Sequence, residues 1–311
     1  MATPADVTVV ICTRDRPEML ANALSKTAAV ITPEVRVLVV DSASSSGATR
    51  ERAVSSGADY LRTDVRGLSI ARNLGLEGAE RDIIIFTDDD CEPAEGWLAR
   101  LLAPFADPEV AAVTGTLLDS SRIDERITGE RMTFTSIHRG LDAGHGALMA
   151  FRSQALADLG GFDDVLGAGR HFAGAEDLDM FCRLIAAGWK IVNEPQAIVR
   201  HMNTRDTESY RILLNGYGLG LGALANKWLR IAPKTGLILA GIVYLRASTR
   251  LLRQVGSARG RGGQLALLRG VSAGLLEARR LGLEGSRFID DDRPAPTPLL
   301  EDGRSDAGAP Q

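Results

Sequence analysis

Residues 83–90 read IIIFTDDD, a β-branched apolar run that ends in three consecutive carboxylates. Continuous rather than alternating apolar character is typical of a strand that is covered on both faces in a parallel sheet. We therefore predict a buried strand over residues 82–87. Asp88, Asp89 and Asp90, here called the acidic triplet, repel one another unless a cation lies between them. Mg²⁺ or Mn²⁺ suits such hard oxygen ligands, whereas the alternative is a solvated acidic turn or a helix N-cap.

The same order of strand, polar loop and helix precedes the triplet twice. Residues 7–12 form an apolar run that ends at polar residues 13–16, and residues 35–40 form another that ends at Asp41 and the Ser- and Gly-rich residues 42–47. Helical patterns follow at residues 17–29, 48–56 and 68–79. This alternation predicts an α/β fold with a mostly parallel sheet flanked by helices. Since ligands bind beyond the carboxyl ends of parallel strands, we expect the three polar clusters to converge on one site.

The rest of the chain divides by composition. Residues 110–118 predict a further strand, residues 163–175 a glycine-rich loop and residues 176–187 an amphipathic helix. From residue 246 to residue 287 there are nine Arg against two Glu. We predict a catalytic domain over residues 1–205, with its nucleotide-binding half up to about residue 118 and its acceptor half from about 119, then a C-terminal helical extension over 206–288 and a disordered tail over 289–311.

Composition argues against several classes of protein. The net charge of −4 and the lack of a basic stripe argue against a nucleic-acid partner. The three cysteines form no CxxC pair, which argues against a disulfide framework or a structural zinc site. The chain starts without a signal-peptide pattern, and its longest apolar run is about ten residues, whereas a bilayer span needs about 20. We expect a cytoplasmic protein, with contact at the cytoplasmic face of a membrane left open.

Five segments in order carry a resemblance to a known family. Residues 7–16, 37–42, 66–73, 86–90 and 174–183 resemble the signature blocks of the family 2 inverting glycosyltransferases, which have the GT-A fold, a Rossmann-like arrangement. The resemblance covers roughly residues 7 to 201. It implies a nucleotide-sugar donor, a divalent metal and a direct displacement at the anomeric carbon by an acceptor hydroxyl. The acceptor is a glycan, a lipid-linked molecule or a small molecule.

The resemblance assigns four residues to the donor nucleotide. Thr13 and Arg16 match positions that border the base and ribose, and Arg72 lies in a segment that packs beside the donor. Asp41 matches the family's base-reading Asp, and its carboxylate would accept the N3–H of uracil or thymine, which favours UDP- or dTDP-sugars. Locally, an Asx turn explains Asp41 equally well, and Arg72 is expected to meet either a phosphate or one carboxylate of the triplet.

The resemblance also assigns the metal ligands and the catalytic base. Asp88 falls to the nucleotide and Asp90 to the metal, with Asp89 placed near the nucleotide but without a settled role. His201 follows the last strand and is expected to complete the metal site. Glu176 and Asp177 match the family's Glu-Asp motif, in which Asp177 is the general base. The alternative for these last two acids is a helix start favoured by the helix dipole.

Two further features near this motif concern the acceptor and the transferred sugar. Residues 160–163 read GGFD and resemble the turn that carries the acceptor side of the site. His145 stands where the family often has an Asn, which leaves the contacts to the transferred sugar open.

Two other functions and two roles for the extension compete. A sugar-phosphate nucleotidyltransferase uses a related sheet, but its first loop is normally glycine-rich, and residues 13–17 contain no glycine. A non-catalytic nucleotide-sugar-binding protein would be expected to have lost a carboxylate. The basic extension is expected either to contact an anionic membrane or to pack on the catalytic domain or a second subunit.

Overall fold

The computed structural model describes residues 2–119, 127–201, 207–254 and 256–298. Eleven strands lie within these ranges: β1 Val7–Thr13, β2 Arg36–Ser42, β3 Asp59–Thr63, β4 Ile83–Asp88, β5 Cys91–Pro93, β6 Val110–Asp119, β7 Met132–Phe134, β8 Leu148–Arg152, β9 Lys190–His201, β10 Leu283–Glu284 and β11 Arg287–Phe288. The helices are α1 Pro17–Ala28, α2 Ala48–Ser55, α3 Leu68–Gly78, α4 Trp97–Leu102, α5 Ser153–Asp158, α6 Glu176–Ala186, α7 Thr207–Ile231, α8 Pro233–Arg253 and α9 Ala258–Glu277.

The main sheet has the order β3-β2-β1-β4-β8-β6-β9-β5, with β7 also paired to β9. The four strands from β3 to β4 are mutually parallel, as the alternating pattern predicts. Strand β8 lies antiparallel between β4 and β6, while β6 and β9 are again parallel. The predicted α/β fold is therefore confirmed, with the parallel part confined to the first half and a mixed sheet in the second.

Both faces of the sheet are covered, which explains the continuous apolar run in β4. Ile83 and Ile85 pack on one side with Trp97 of α4. Ile84 and Phe86 pack on the other, where Phe86, Phe151, Phe162 and Phe181 form edge-on and stacked ring contacts. Successive strand residues point to opposite faces of the sheet. A strand that is covered on both faces is therefore apolar at every position, rather than at alternate positions.

The strand register brings the predicted site together at one edge. Thr13 lies opposite Asp41 across β1 and β2, and Cys12 lies opposite Asp88 across β1 and β4. Short strand β5, which starts directly after the triplet, pairs with the end of β9 and sets Cys91 opposite His201. The expected convergence of polar strand ends is thus observed, and β9 adds a fourth strand end to it.

The extension packs on the acceptor half through helix α7. Backbone-close contacts need glycine here, because a Cβ on Gly218 or Gly222 would collide with the backbone of α9. A Cβ on Gly220 would collide with the backbone of Gly174, in the loop that leads into α6. The sequence left open whether the extension packs on the catalytic domain, and this contact is present.

The predicted tail is partly ordered onto the fold. Thr297 N–H donates to the Asp64 carbonyl at 2.7 Å, and its own carbonyl accepts from Arg62 at 3.0 Å. Asp290 forms an ion pair with Arg170. Residues 289–298 therefore depart from the predicted disorder, because polar groups of the catalytic domain bind them, and residues 299–311 lie outside the described part of the chain. The division into domains at residue 205 stays a prediction.

Candidate active site

The three carboxylates of the acidic triplet have three different environments. Asp89 is buried and accepts hydrogen bonds from Thr13 Oγ1 at 2.6 Å and from Arg16 Nη1 at 3.0 Å. Asp90 Oδ2 lies 3.4 Å from Arg16 Nη1 and 3.4 Å from His201 Nε2. The Asp88 side chain is 36% exposed, and its Oδ1 lies 3.9 Å from Arg72 Nη2. The structure therefore brings Thr13, Arg16, Asp89, Asp90 and His201 into one cluster and leaves Asp88 facing the cleft.

The pKa of Asp88 is raised in the folded chain. Partial burial at the strand end raises its pKa to about 7, although part of the side chain stays in contact with solvent. Arg72 opposes the shift, whereas the charges of Asp90 and Asp89 add to it. Burial likewise raises the pKa of Asp89, against hydrogen bonds from Thr13. A cation beside the triplet would relieve this repulsion.

The donor set fits a divalent cation. Single ligand atoms of Asp88, Asp90 and Cys91 lie within 4.8 Å of one another, and the His201 imidazole approaches Asp90 from the opposite strand. Two carboxylates and an imidazole suit Mn²⁺ and, through the oxygens, Mg²⁺. Burial raises the pKa of the Cys91 thiol beyond the physiological range, so Cys91 is the least suited of these groups to bind a hard cation.

Arg72 connects the triplet to the predicted base. Its side chain is 2% exposed, and Nη1 donates to Glu176 Oε1 at 2.9 Å while Nη2 lies 3.9 Å from Asp88 Oδ1. The guanidinium carbon also lies 5.4 Å from the centre of the Phe162 ring. Of the two expectations for Arg72, the pairing with a carboxylate is present in this structure. Arg72 is therefore a buried cation that lies close to both Asp88 of the triplet and Glu176, the neighbour of the predicted base.

Asp177 starts helix α6 beside this arginine. Its Oδ1 accepts the N–H of Leu178 at 2.8 Å, and Ala175 before it has a positive φ of 66°. A Cβ on Gly146 would lie 3.5 Å from Asp177 Oδ2 and 2.9 Å from Arg72 Nη2. Burial, followed by the neighbouring charge of Glu176, raises the pKa of Asp177 to about 7, and Arg72 opposes the shift. A carboxylate with this acidity can accept a proton near neutral pH.

Asp41 is fully buried and has two protein partners. Ser44 N–H donates to Oδ1 at 2.8 Å, which is the Asx turn expected as the local alternative. Tyr60 Oη donates to Oδ2 at 2.9 Å. Each carboxylate oxygen accepts more than one hydrogen bond, so the role of Asp41 toward a base stays a prediction. Tyr60 was not predicted, because nothing in the sequence indicates that the hydroxyl of this half-buried β3 residue reaches Asp41 on the neighbouring strand β2.

The GGFD turn at residues 160–163 contributes a buried carboxylate to the protein interior. Asp163 is fully buried and accepts from Lys227 Nζ at 2.6 Å, and Asp179 of α6 accepts from the same ammonium at 2.7 Å. The Asp163 carboxylate is held by Lys227 and by the Phe288 N–H, and the acceptor-side role of the turn at residues 160–163 stays a prediction. A buried role for Lys227 could have been predicted from the sequence, because it is the one charged residue within the mostly apolar residues 223–229.

Two histidines complete the surroundings. His171 Nε2 lies 2.6 Å from Glu277 Oε2, so this loop residue contacts helix α9. Neither ring nitrogen of His145 has a hydrogen-bond partner within the described ranges, and burial lowers its pKa to about 4. His145 is therefore a neutral imidazole next to Gly146 and the Arg72 side chain.

Comparisons with known proteins agree with this geometry. Residues 8–157 match the family model described as Glycosyl transferase family 2. The chain is 29% identical over 306 residues to the pre-mycofactocin glycosyltransferase of Mycobacterium tuberculosis (strain H37Rv), covering 92% of this chain and 60% of that protein. It is 31% identical over 210 residues to the succinoglycan biosynthesis protein ExoM of Rhizobium meliloti (strain 1021), covering 61% and 64%. The chain thus spans less than two thirds of the length of these relatives.

Two solved structures share the fold. The mannosyltransferase PcManGT from Pyrobaculum calidifontis, in complex with GDP-Man and Mn²⁺, aligns with a TM-score of 0.61 at 22% identity, covering 88% of this chain and 87% of that one. GalNAc-T7, solved with UDP, GalNAc and Mn²⁺, aligns with a TM-score of 0.55 at 16% identity, covering 74% and 50%. At these identities the likeness establishes the GT-A-type fold.

Proposed function

Residues 8–157 belong to glycosyl transferase family 2, and on that premise we propose that the chain moves a sugar from a nucleotide diphosphate to an acceptor hydroxyl with inversion. The observation that carries the proposal is the link through Arg72, which lies within 4 Å of both Asp88 and Glu176. A donor bound over the triplet would place its anomeric carbon toward the start of α6. The acceptor hydroxyl would then approach from the side of Asp177.

The residues divide the work by their surroundings. Asp90 and His201 would hold Mg²⁺ or Mn²⁺, with Asp88 turned to the nucleotide, and the bound ion would neutralise charge on the departing diphosphate. Thr13 and Arg16 support the triplet through Asp89 and border the base and ribose. Mn²⁺ in both fold relatives supports this choice of cation.

Asp177 acts as general base in this proposal. Its carboxylate removes the proton from the acceptor hydroxyl as the oxygen attacks the anomeric carbon, while the bond to the diphosphate breaks on the opposite face. Arg72 stays protonated and holds Glu176 beside Asp177. The negative charge of Glu176 keeps Asp177 basic enough to take that proton.

We infer UDP- or dTDP-sugars as the donors, because Asp41, which lies opposite Thr13 at the end of β2, matches the family's base-reading Asp. Thermal melts with UDP-, dTDP- and GDP-sugars, each with Mn²⁺ or with EDTA, test this choice, since ligand binding raises apparent stability by mass action. We expect stabilisation by the pyrimidine donors that requires the metal. Stabilisation by GDP-sugars alone would contradict the role given to Asp41.

Product analysis tests the reaction itself. With a stabilising donor and an acceptor extract, we expect UDP or dTDP release and a product whose anomeric configuration is inverted by NMR. Retention of configuration would contradict direct displacement. Pyrophosphate released from an NTP and a sugar 1-phosphate would instead favour the nucleotidyltransferase. The acceptor class and the cytoplasmic location stay predictions.

A further inference from the structure

Helix α8 presents an apolar stripe to solvent along most of its length. Leu237 and Leu245 are each 66% exposed and Leu252 is 73% exposed. These residues recur at i, i+8 and i+15, so they lie along one side of the helix. The opposite side, formed by Gly236, Leu239, Val243 and Ala247, is buried in the extension. The stripe therefore remains outside a helix that is otherwise packed.

The charge around this stripe has one sign. From Pro233 to Leu276 the sequence contains seven Lys and Arg and no Asp or Glu, although the whole chain has a net charge of −4. Lys234, Arg250 and Arg253 are exposed, and within the described ranges none of them lies in an ion pair with a carboxylate. Counted at 100° per residue, Lys234 lies on the side of the stripe and Arg253 lies next to it, whereas Arg250 projects from the opposite side of the helix. Arg246 of α8 pairs with Asp142, so Lys234 and Arg253 are the cations near the stripe that have no carboxylate partner within the described ranges.

Three partners could cover such a helix, and two of them fit poorly. Helix α8 is long and apolar enough to cross a membrane by length and composition, but crossing would strip Gly236 from its backbone contact with Leu229 and Leu239 from its packing on Trp228. A second copy of the chain, docked stripe to stripe, would bring two groups of cations together without an acid between them. An anionic lipid surface supplies both apolar depth and negative charge.

We propose that α8 lies in the plane of an anionic membrane surface, with Leu237, Leu245 and Leu252 in the boundary between headgroups and acyl chains. Lys234 and Arg253 would contact lipid phosphates, as basic residues beside an apolar stripe do on amphipathic helices. The proposal is independent of the proposed function, because it uses no residue of the candidate active site.

This orientation has a consequence for the cleft. Leu239 of α8 packs in the same cluster as Ala175 and Leu178, which flank Glu176 and Asp177 on α6. The buried side of α8 therefore shares a hydrophobic cluster with the residues on either side of Glu176 and Asp177. A chain bound in this way would hold its acceptor half close to the lipid surface.

Co-sedimentation of the full chain with vesicles tests the proposal. We expect binding to vesicles that contain phosphatidylglycerol, little binding to pure phosphatidylcholine, and weaker binding as salt rises, since surface charges are screened. Leu245→Asp and the double change Lys234→Glu with Arg253→Glu should each reduce binding by roughly ten-fold or more. Both sites are exposed, so the variants should melt like the wild type.

Val54→Asp on α2 is the matched control, because Val54 is 59% exposed on the catalytic domain. It should bind vesicles as the wild type does. Equal binding by Leu245→Asp, or no binding to anionic vesicles, would overturn the proposal. So would a wild-type dimer in light scattering that Leu245→Asp converts to monomer, or resistance of the bound chain to alkaline extraction, which would indicate a crossing helix.

Discussion

Arg72 is the residue through which the two halves of the cleft meet, and it is also the residue whose environment could not be read from the chain alone. Its partner Glu176 is more than one hundred residues away. The sequence predicts that Arg72 binds either a phosphate or a carboxylate. In the structure its guanidinium packs against the rings of Phe86 and Phe162, in a buried position. Such long-range pairing depends on which strands are adjacent, which local patterns do not specify.

The first prediction concerns the acidity of Asp177. Its pKa of about 7 implies that transfer falls about ten-fold per pH unit below that value, because the protonated carboxyl cannot accept a proton. Asp177→Asn should abolish transfer yet leave metal-dependent UDP binding nearly unchanged. Rates and UDP melts over pH 5 to 9 measure both effects. Full transfer by this variant would remove Asp177 from the role of base.

Stability should show the opposite trend with pH. The pKa of Asp177 in the folded chain is raised above its ordinary value of 3.8, so the folded state holds the proton more tightly than the unfolded state. The free energy of unfolding therefore decreases as pH rises from about 4 to about 7. Asp177→Asn should reduce this decrease, whereas Asp82→Asn, an exposed control, should not. Urea unfolding at pH 5 and pH 8 measures the difference.

Gly146 gives a second prediction at the residue scale. Gly146→Ala would place a methyl group 2.9 Å from Arg72 Nη2 and 3.5 Å from Asp177 Oδ2. We expect a loss of transfer of roughly several-fold, because the 2.9 Å contact forces the buried Arg72 guanidinium to shift slightly and catalysis depends on the positions of such groups. Gly241→Ala, where the added Cβ meets nothing within 4 Å, is the control and should keep full activity. Equal rates for both variants would contradict the tight contact.

At the scale of elements, α6 is held from behind by α7. Lys227 of α7 lies between Asp163 and Asp179, and all three side chains are fully buried. Arg183 of α6 lies 3.6 Å from Asp179 and donates to the Gly161 carbonyl at 2.7 Å. Two cations thus balance two carboxylates beneath the helix that carries Asp177.

Lys227→Met should therefore destabilise the chain by about 3–5 kcal/mol, because it leaves buried charge uncompensated. Adding Asp179→Asn should recover part of this loss, which equilibrium unfolding measures. At a temperature where the variant is folded, we expect a lower kcat with an unchanged donor KM, since α6 moves but the triplet does not. A stable Lys227→Met with normal kcat would contradict the positioning role.

The elements themselves were largely predictable, and their partners were less so. The apolar runs, Pro17 and the polar strand ends located β1, β2, β4, α1 and α3 within a few residues. The antiparallel insertion of β8 between β4 and β6 was not predicted, because a buried strand reads the same in either direction. Helix α9 lies within the predicted helical extension, but its bounds were not predicted, since its glycines lower helix propensity and several of them are explained by the contact with α7.

At the scale of the whole molecule, the extension and the catalytic domain share their interior. The cluster of Val165, Leu166 and Phe172 from the loop before α6 is completed by Ala223 of α7 and Phe288 of β11. The sequence placed a boundary near residue 205 from composition, and composition does not report that a core continues across it.

We therefore expect one cooperative thermal transition for the full chain. Shared burial couples the two parts, so calorimetric and van't Hoff enthalpies should agree. UDP with Mn²⁺ should shift the entire transition upward, as binding to the folded state requires. Two resolved transitions, of which only one responds to UDP and Mn²⁺, would show that the extension unfolds as a separate domain.

Helix α7 has glycine on two sides, toward α9 and toward Gly174, and this limits how the enzyme can be redesigned. The loop that leads to Asp177 contacts α7 through backbone atoms of Gly174 and Gly220, so no side chain at this contact can be exchanged for another. Even one methyl group at Gly220 would displace that loop. Efforts to change acceptor choice therefore have little freedom on α7, and the exposed contact of His171 with Glu277 is the more adjustable position.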